Sequence, residues 1–280
     1  CKDIRIEVRE SALSLFRKNI LNLKVFKKGS NLNSDCNYKI SFASLNTFFN
    51  SNKEKKEEIL FKIDDDKLLK WKNKINSKNL TVGLTWSGSL HGVNEPFRSL
   101  EFKNLNKILS LDCDFFCLQK DIWERDKKYF MNSKVKHLGD NNFLEIAAII
   151  KNLDLVISTD TSILHLSSTL EKLTWGMFSF NKEWRWWKYN KPAFYKKLVE
   201  YEQNNFNNWD NVLNDIYINL KPRPVKIISI KLISFSRKSI KIEVVCGKGT
   251  YIRSLARDIA LRLNTYGHLK SLKRLSIGPY

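Results

Sequence analysis

Apolar runs alternate with amphipathic segments between residues 80 and 220. Runs typical of buried strands occupy residues 80–86 (LTVGLTW), 114–119 (DFFCLQ), 154–159 (DLVIST) and 174–180 (TWGMFSF). Apolar residues at helical spacing predict helices over residues 102–111, 142–153, 161–170 and 209–220. A strand with almost no polar alternation is covered on both faces, and strands that alternate with helices form a parallel sheet. The pattern therefore predicts an α/β fold built on a Rossmann-like, doubly wound parallel sheet.

The first 78 residues carry a weaker pattern. Residues 2–8 alternate as a strand does, residues 11–19 have helical spacing with Ser11 as the expected N-cap, and residues 23–29 predict a short strand. Residues 51–78 are rich in Lys, Glu and Asp. Their sparse apolar stripe predicts surface helices that join two units, and its members are Leu60, Ile63, Leu68, Leu69 and Trp71.

The pattern changes near residue 221. Two prolines interrupt the chain in KPRPVKI (221–227), and two strand-like runs, a Gly-Lys-Gly turn and a helix beginning at Tyr251 follow. We expect this helix to bury Ile252, Leu255, Ile259 and Leu263. The predicted organisation is therefore a parallel-sheet unit at 79–220 and a small α+β segment at 221–280, with 1–50 and 51–78 preceding them.

The distribution of charge also differs between residues 1–220 and residues 221–280. The chain carries a formal net charge of +20, and residues 221–280 contain 14 Lys and Arg but only two acidic residues. Abundant Lys, Asn, Ile and Phe, as in proteins of AT-rich genomes, explain the basicity of the first 220 residues. This composition does not explain why residues 221–280 contain almost no acidic residues. The high density of positive charge in that segment predicts a polyanionic partner.

Composition narrows the class of protein further. No apolar run is long enough to predict a membrane span, and the five cysteines are scattered without a CxxC pair. We expect reduced thiols, a cytoplasmic location, no metal site and no cofactor. The chain begins at Cys1 without a signal-peptide pattern, so we interpret it as an internal fragment of a soluble protein.

The first candidate site follows the strand-like run at 154–159. Asp160 and Thr161 stand at its carboxyl end, where ligands bind in open α/β sheets, and a helix begins at once. Its free backbone N–H groups favour a phosphate, to which Thr161 and Ser162 add hydroxyls, with His165 one turn further on. An alternative stays open: Asp160 or Thr161 only caps the helix, and His165 only packs.

A second candidate is the small-residue turn after residues 80–86. Ser87, Gly88 and Ser89 would let a ligand approach the backbone closely, and His91 and Arg98 could supply charge to a diphosphate. Turns of this composition are also common connectors, so the turn alone is a weak signal.

Four segments resemble, in order, bacterial glycosyltransferases of the heptosyltransferase and O-linked N-acetylglucosamine transferase groups. They are VGLTWSGS…FRSL, FFCLQK, AAIIKNLDLVISTDTSILHLSSTL and WRWW…AFY, and CNYKISFASLNTFF (36–49) resembles the segment before the second lobe. The resemblance spans roughly residues 1–220 and implies a GT-B architecture of two Rossmann-like lobes. Residues 79–220 would be the second, nucleotide-sugar-binding lobe, residues 51–78 a helical connector, and residues 1–50 a remnant of the first lobe.

The same resemblance implies roles for individual residues. Thr161, Ser162 and His165 would meet the diphosphate of a nucleotide-diphosphate sugar beside Asp160, and the same cleft would be lined by Ser87, Gly88, Arg98 and Gln119. The family's first lobe normally supplies acceptor contacts and the catalytic base, and residues 1–50 hold little of it. The sequence therefore favours donor binding over turnover.

An aromatic and basic segment, EWRWWKY (183–189), adds a further candidate. Its rings could stack on a base or a sugar, with Arg185 near a phosphate. Packing of the three tryptophans onto the sheet is an equally good interpretation.

The last sixty residues resemble a different enzyme. KGTYIRSLARD, followed by HLKSLKRLSIGPY, is similar to the C-terminal part of the catalytic domain of tRNA pseudouridine-55 synthases, the TruB family. The resemblance implies that Arg253 pairs with a catalytic aspartate, whose upstream motif this chain lacks, and Asp258 is no substitute. The predicted RNA-binding residues are Lys248, Gly249, Tyr251, Arg253, Arg257, Lys273 and Arg274, and Lys270 belongs to the same basic cluster as the last two.

Three hypotheses follow from the sequence. The chain is a sugar-nucleotide-binding unit with a partial pseudouridine synthase attached, or an RNA-binding or RNA-modifying protein whose activity belongs to residues 221–280. The third hypothesis is a chimera of two gene fragments in which neither enzyme is complete.

Overall fold

The computed structural model divides the chain into two compact units, Cys1–Leu220 and Lys221–Tyr280. The structure describes residues 3–30, 38–40, 61–89, 95–182, 186, 195–221, 225–236, 239–247, 250–263, 265, 267–276 and 278. Some residues to which the sequence analysis gives a role lie outside these ranges, namely 41–60, His91, Arg185, Lys248 and Gly249.

The first unit begins with a small parallel sheet. Its strands are β1 (Arg5–Val8) and β2 (Lys24–Lys27), joined by helix α1 (Glu10–Asn19). The predicted N-cap of this helix is wrong, because Arg9 occupies the cap position and Ser11 lies inside the first turn.

Six parallel strands form the main sheet. They are β3 (Leu80–Thr85), β4 (Cys113–Cys117), β5 (Lys136–His137), β6 (Leu155–Thr159), β7 (Thr174–Phe178) and β8 (Leu198–Glu202). Their order across the sheet is β5-β4-β3-β6-β7-β8, and every neighbouring pair is parallel. This order is that of the doubly wound dinucleotide-binding sheet, so the predicted fold class is confirmed.

Helices connect these strands and cover the sheet. They are α2 (Asp65–Lys74), α3 (Glu95–Arg98), a 3-10 helix (Phe102–Leu105), α4 (Asn106–Leu109), α5 (Glu124–Met131), α6 (Phe143–Asn152), α7 (Ser162–Thr169) and α8 (Asp210–Leu220). None of the helices in the described ranges has the length and hydrophobicity that a membrane crossing requires.

The two faces of the sheet belong to two separate cores, as strand alternation requires. Leu84, Phe115 and Ile157 point to one face, where α4 and α8 pack, and Phe116 and Val156 point to the other. The second core also receives buried residues of α1, α2, α6 and α7, namely Leu15, Trp71, Ile149 and Leu166.

The packing of these layers shows one difference from the sequence prediction and one close contact that a glycine allows. Trp71, which we expected on a surface helix, is almost fully buried, whereas Leu69 of the same stripe is exposed. Gly83 in β3 allows close packing, because a Cβ atom there would lie 2.6 Å from Cδ1 of Leu118 and 2.7 Å from Cδ1 of Leu153.

The second unit contains a hairpin and a helix. Strands β9 (Ile227–Ser236) and β10 (Ser239–Cys246) pair antiparallel, and α9 (Ile252–Arg262) follows. The expected burial along this helix is largely wrong: Ile252, Leu255 and Ile259 are only half-buried and Leu263 is exposed. Among the described hydrophobic residues of this unit only Ala260 is buried, so its core is very small.

Candidate functional site

The strand order places a crevice at the carboxyl ends of β3 and β6. These strands are neighbours, and Thr85 pairs with Ser158. The chain leaves β3 toward β4 on one side and leaves β6 toward β7 on the other. The two loops therefore diverge, and such a switch point is where open α/β sheets bind ligands. It brings together the two candidate segments that the sequence indicated, residues 86–89 and 160–162.

Gln119 fixes the first loop from the adjacent strand end. Its side-chain oxygen accepts hydrogen bonds from the backbone N–H groups of Trp86 (3.2 Å) and Ser87 (3.0 Å). Its amide nitrogen donates to the Ser87 hydroxyl at 2.6 Å and to the Asp121 carbonyl at 2.9 Å. Ser87 and Gln119 are both buried, so they shape the wall of the crevice from within the protein.

Gly88 is also tied into the protein at both of its backbone groups. Its N–H donates to the Ser99 hydroxyl and its carbonyl accepts from the Trp123 indole, both at 3.2 Å. Arg98, the last residue of α3, is half-buried and immediately precedes Ser99.

Asp126 supports this loop, a role that no pattern in the sequence indicated. Its carboxylate accepts from the indole N–H of Trp86 at 3.0 Å and from the backbone N–H of Phe102 at 2.9 Å. It is the buried residue of α5, a helix that the hydrophobic pattern did not predict. A buried carboxylate that receives two such bonds is a fixed structural anchor.

Asp160 belongs to an aromatic cluster at the other loop. Its Oδ2 accepts from the indole N–H of Trp186 at 3.0 Å, and its Oδ1 lies 3.6 Å from Nε2 of His165. The His165 ring stacks on Trp186 with 5.4 Å between centroids, and its Nδ1 shares a 2.9 Å hydrogen bond with the Tyr195 hydroxyl. The cluster therefore fixes the orientation of the half-buried imidazole.

Trp186 itself packs rather than projecting outward. It is buried against Leu164, Phe178 and Leu198. The sequence left two interpretations of residues 183–189, stacking on a ligand and packing onto the sheet. The position of Trp186 agrees with packing. The neighbouring residues of that segment lie outside the described ranges.

The start of α7 is the exposed part of the crevice. Thr161 is at the N-cap position, its hydroxyl lies 3.2 Å from that of Ser158, and its side chain makes no capping hydrogen bond. Ser162, the first helical residue, is exposed. The first backbone N–H groups of a helix lack intrahelical partners and favour an anion.

Two of the described cysteines, Cys113 and Cys117, are held as buried thiols. Cys113 and Cys117 are free and buried, and burial raises their thiol pKa values to about 11 and about 12. Within the described residues, no cluster of three His, Cys, Asp or Glu side chains could hold a metal ion.

The second unit presents most of its predicted RNA-contact residues to solvent. Tyr251 is 79% exposed, and Arg253, Lys273 and Arg274 are exposed as well. Arg257 is half-buried, with Nε 3.6 Å from Oδ1 of the adjacent Asp258. The turn before α9 is held by a 2.8 Å hydrogen bond from the N–H of Gly247 to the Lys226 carbonyl.

Comparison with known proteins finds a family match within the first unit. Residues 110–213 match the model of glycosyltransferase family 9 (heptosyltransferase). The resemblance to the heptosyltransferases is confirmed. The family 9 match runs from before β4 into α8 and so includes the Asp160 loop. The crystal structure of the glycosyltransferase family 9 protein from Veillonella parvula is also similar, at 11% identity over 56% of this chain and 46% of that chain, with a TM-score of 0.37.

The second resemblance, to tRNA pseudouridine synthase B, is distant and partial. The enzyme from Francisella philomiragia is 31% identical over 157 residues, 56% of this chain and 46% of that protein. The enzyme from Bordetella avium is 49% identical over 59 residues, 21% of this chain and 24% of that protein. The chain thus spans about half the length of the first of these relatives, and the 157-residue match is longer than the second unit.

Proposed function

We propose that the first unit binds a nucleotide-diphosphate sugar in the crevice between the carboxyl ends of β3 and β6. The observation that carries this proposal is the start of α7 at the switch point of the sheet, where the Thr161 side chain makes no capping hydrogen bond and Ser162 is exposed. The family 9 match over residues 110–213 supports a sugar donor as the ligand.

Each predicted site residue that the structure describes has a role in this proposal. Thr161, Ser162 and the first N–H groups of α7 bind the diphosphate. His165 contributes its imidazole, which Asp160 and Tyr195 orient. Ser87, Gly88 and Gln119 form the opposite wall, and Arg98 supplies positive charge to the diphosphate.

Isothermal titration of the full-length chain with UDP, ADP and GDP tests the proposal. Ser162→Asp places a negative charge against the diphosphate, where like charges about 4 Å apart repel by roughly 4 kcal/mol at an effective dielectric constant of about 20. We expect binding of at least one nucleotide and a loss of affinity of tenfold or more in this variant. An acid at a helix N-terminus is itself stabilising, so the variant should keep its thermal midpoint.

The matched control is Asn104→Asp, which adds the same charge at an exposed position of the 3-10 helix. Its nucleotide affinity should stay within twofold of the unchanged protein. The proposal is wrong if no nucleotide binds, or if the two variants lose affinity equally.

A second function is favoured by the second unit. We propose that residues 221–280 bind a structured RNA such as a tRNA stem-loop. The exposed basic side chains of Arg253, Lys273 and Arg274 and the 49% identity to a tRNA pseudouridine synthase B over 59 residues support it. The proposal concerns RNA binding and makes no claim about isomerisation of uridine.

Gel-shift titrations of the full-length chain with a tRNA stem-loop, at about 50 and 200 mM salt, test the RNA proposal. Affinity should fall steeply with salt, because bound lysines and arginines release counterions. The double variant Lys273→Gln/Arg274→Gln should reduce the slope of log K against log salt by about 1–2. The control Lys127→Gln/Lys128→Gln removes the same charge from the first unit and should leave the slope unchanged. If both double variants reduced the slope equally, RNA binding would depend on overall charge and not on residues 221–280.

The broader organisation is also a proposal. We propose that residues 1–50, 51–78, 79–220 and 221–280 are, in turn, a first-lobe remnant, a connector, the donor-binding lobe and a pseudouridine-synthase segment. On this view the protein works in the cytoplasm, binds a nucleotide-diphosphate sugar through its first unit and binds RNA through its second.

A further inference from the structure

The hairpin of the second unit has one apolar face. Residues that lie directly opposite each other in an antiparallel pair share a face of the sheet. Three such pairs in β9 and β10 are apolar on both strands, and they alternate with pairs that contain lysine, serine or glutamate. We call the six apolar residues the hairpin face, and they are Ile230, Leu232, Phe235, Ile240, Ile242 and Val244.

The hairpin face is open to solvent. Leu232 is 60% exposed and Phe235 is 75% exposed, and Ile230 and Ile240 are exposed as well. Among the described hydrophobic residues of this unit only Ala260 is buried, so no described element of the unit covers the face. A contiguous apolar surface of this kind marks a site where a partner or a membrane is bound.

Positive charge accompanies the hairpin face. Residues 221–280 contain 14 Lys and Arg but only two acidic residues. Lys226, just before β9, and Lys231 and Lys241 within the strands are all exposed. Glu243, opposite Lys231, is the single acidic residue of the two strands. The hairpin therefore combines exposed apolar side chains with an excess of cations.

A lipid surface that carries negative charge matches both properties. Apolar side chains leave water at the boundary between headgroups and acyl chains, while lysine side chains extend to the anionic headgroups. Each Lys or Arg close to such a surface strengthens binding by about fivefold.

RNA and a protein partner match the hairpin face less well. RNA bases stack on aromatic rings, whereas five of the six residues of the face are aliphatic. The residues that dominate binding at protein interfaces are enriched in Trp, Tyr and Arg, and the face contains none of these.

We propose that the hairpin face binds the surface of a membrane that contains anionic lipid, with β9 and β10 lying flat in the interface. The residues of the face differ from those that we propose to contact RNA. The proposal therefore goes beyond RNA binding and stands independently of it. The hairpin also lies outside residues 110–213, which match family 9.

Flotation of the full-length chain with extruded vesicles tests the proposal. Vesicles of phosphatidylcholine alone are compared with vesicles that also contain about 30% phosphatidylglycerol, at roughly 100 mM salt. The face variant, Leu232→Ser/Phe235→Ser, removes two exposed side chains of the hairpin face. The matched control, Leu69→Ser/Phe206→Ser, removes the same two types of side chain from exposed positions of the first unit.

We expect the unchanged protein to bind the anionic vesicles at least about tenfold more tightly than the neutral ones. The face variant should lose at least about tenfold in affinity, because two apolar side chains no longer leave water, and the control should stay within about twofold. The face variant should also keep its affinity for a tRNA stem-loop within about twofold, since RNA contacts other residues.

A charge-removing pair of variants tests the electrostatic part. Lys231→Gln/Lys241→Gln should weaken binding to anionic vesicles by at least about fivefold. Lys127→Gln/Lys128→Gln removes the same charge from the first unit and should weaken it less than about twofold.

Hydrogen exchange of the unchanged protein locates the contact without any substitution. Peptides from residues 227–246 should exchange at least about tenfold more slowly when anionic vesicles are added, because binding stabilises the closed hairpin. Peptides from residues 155–178 should not change.

The proposal is overturned if the chain does not float with anionic vesicles, or if the face variant and its control lose affinity equally. It is also overturned if light scattering shows a dimer that the face variant dissociates and that does not float, since a second copy would then cover the face. Loss of RNA binding in the face variant as large as its loss of vesicle binding would assign the face to RNA instead.

Discussion

Glu145 joins two helices of the first unit through one carboxylate. It accepts hydrogen bonds from Lys67, from Lys70 at 3.0 Å and from the Trp71 indole at 2.6 Å. Burial alone would raise the pKa of Glu145, but these hydrogen bonds outweigh burial and lower the pKa to about 2. The carboxylate therefore fixes α2 on α6 in its charged form.

This pKa predicts an acid-sensitive contribution to stability. A folded pKa of about 2 against the ordinary 4.5 corresponds to roughly 3 kcal/mol of stability above pH 4.5, which is lost as the pH falls from 4.5 toward 2. We expect Glu145→Gln to lower the free energy of unfolding by roughly 1–3 kcal/mol at pH 7. Urea unfolding at pH 7 and pH 3 should show the gap shrinking by at least half at the lower pH.

Glu124→Gln is the control for this experiment. Glu124 is exposed on α5, where its pair with Lys127 is a surface ion pair worth about 0–1 kcal/mol. Its variant should unfold nearly as the unchanged protein does at both pH values. A pH-independent loss in Glu145→Gln would show that packing, not charge, holds α2 on α6.

Helix α6 is the element that connects the second core to a cavity lined by Glu10, Arg17 and Lys120. Five of its ten residues are buried, and its N-cap, Asn142, also lines the cavity. The cap satisfies two backbone N–H groups that the helix itself leaves without partners. The stability of this helix start therefore determines how well the cavity wall is fixed.

Replacing the cap predicts a measurable loss of stability. Asn142→Ala should lower the free energy of unfolding by about 1 kcal/mol, and Asn142→Asp, which still accepts both bonds, should not. Urea unfolding compares the two variants. Asn132→Ala, at the C-cap of α5, serves as the control and should cost less. Equal losses for Ala and Asp at position 142 would contradict a capping role.

The hydrophobic pattern predicted β3, β4, β6 and β7 because both faces of these strands are buried. It missed β5 and β8 for a physical reason: β5 has only two residues, and β8 (LVEYE) lies at the sheet edge with glutamate at two of its five positions. It missed α5 because the buried residue of that helix is Asp126, whose partners come from other elements.

The sequence predicted which loops form the candidate site, but it did not predict the side-chain contacts within the site. The carboxyl ends of two strands placed Ser87, Asp160 and Thr161 correctly at one edge of the sheet. The bonds from Trp186 to Asp160 and from Gln119 to Ser87 join residues 26 and 32 positions apart. Such contacts depend on the folded arrangement of the strands, which spacing in the sequence does not encode.

The two units of the molecule differ in how their strands are covered. In the first unit, both faces of the main sheet are buried in hydrophobic cores. In the second unit, β9 is exposed along nearly its whole length, including apolar side chains such as Ile228, Leu232 and Phe235. A two-stranded hairpin without a buried face is only marginally stable in water.

This contrast predicts that the hairpin of the second unit opens at a much lower free-energy cost than the main sheet of the first unit. Backbone amides of β9 and β10 should exchange hydrogen rapidly, because local opening of the hairpin loses few buried contacts. Amides of β3, β6 and β7 should exchange only through global unfolding, since these strands have neighbours on both sides and buried faces. Hydrogen exchange followed by mass spectrometry on the full-length chain measures both in one experiment.

We expect peptides from residues 227–246 to reach full exchange at least a hundredfold sooner than peptides from residues 155–178. Addition of about 1 M urea should speed exchange in the second set much more than in the first, because global unfolding exposes more surface than opening of the hairpin. Peptides covering α8, whose Val212 and Ile216 are buried in the first unit, provide the internal reference. Protection of the hairpin equal to that of β6 would mean that its apolar face is covered in solution, and the marginal stability inferred from its exposure would be wrong.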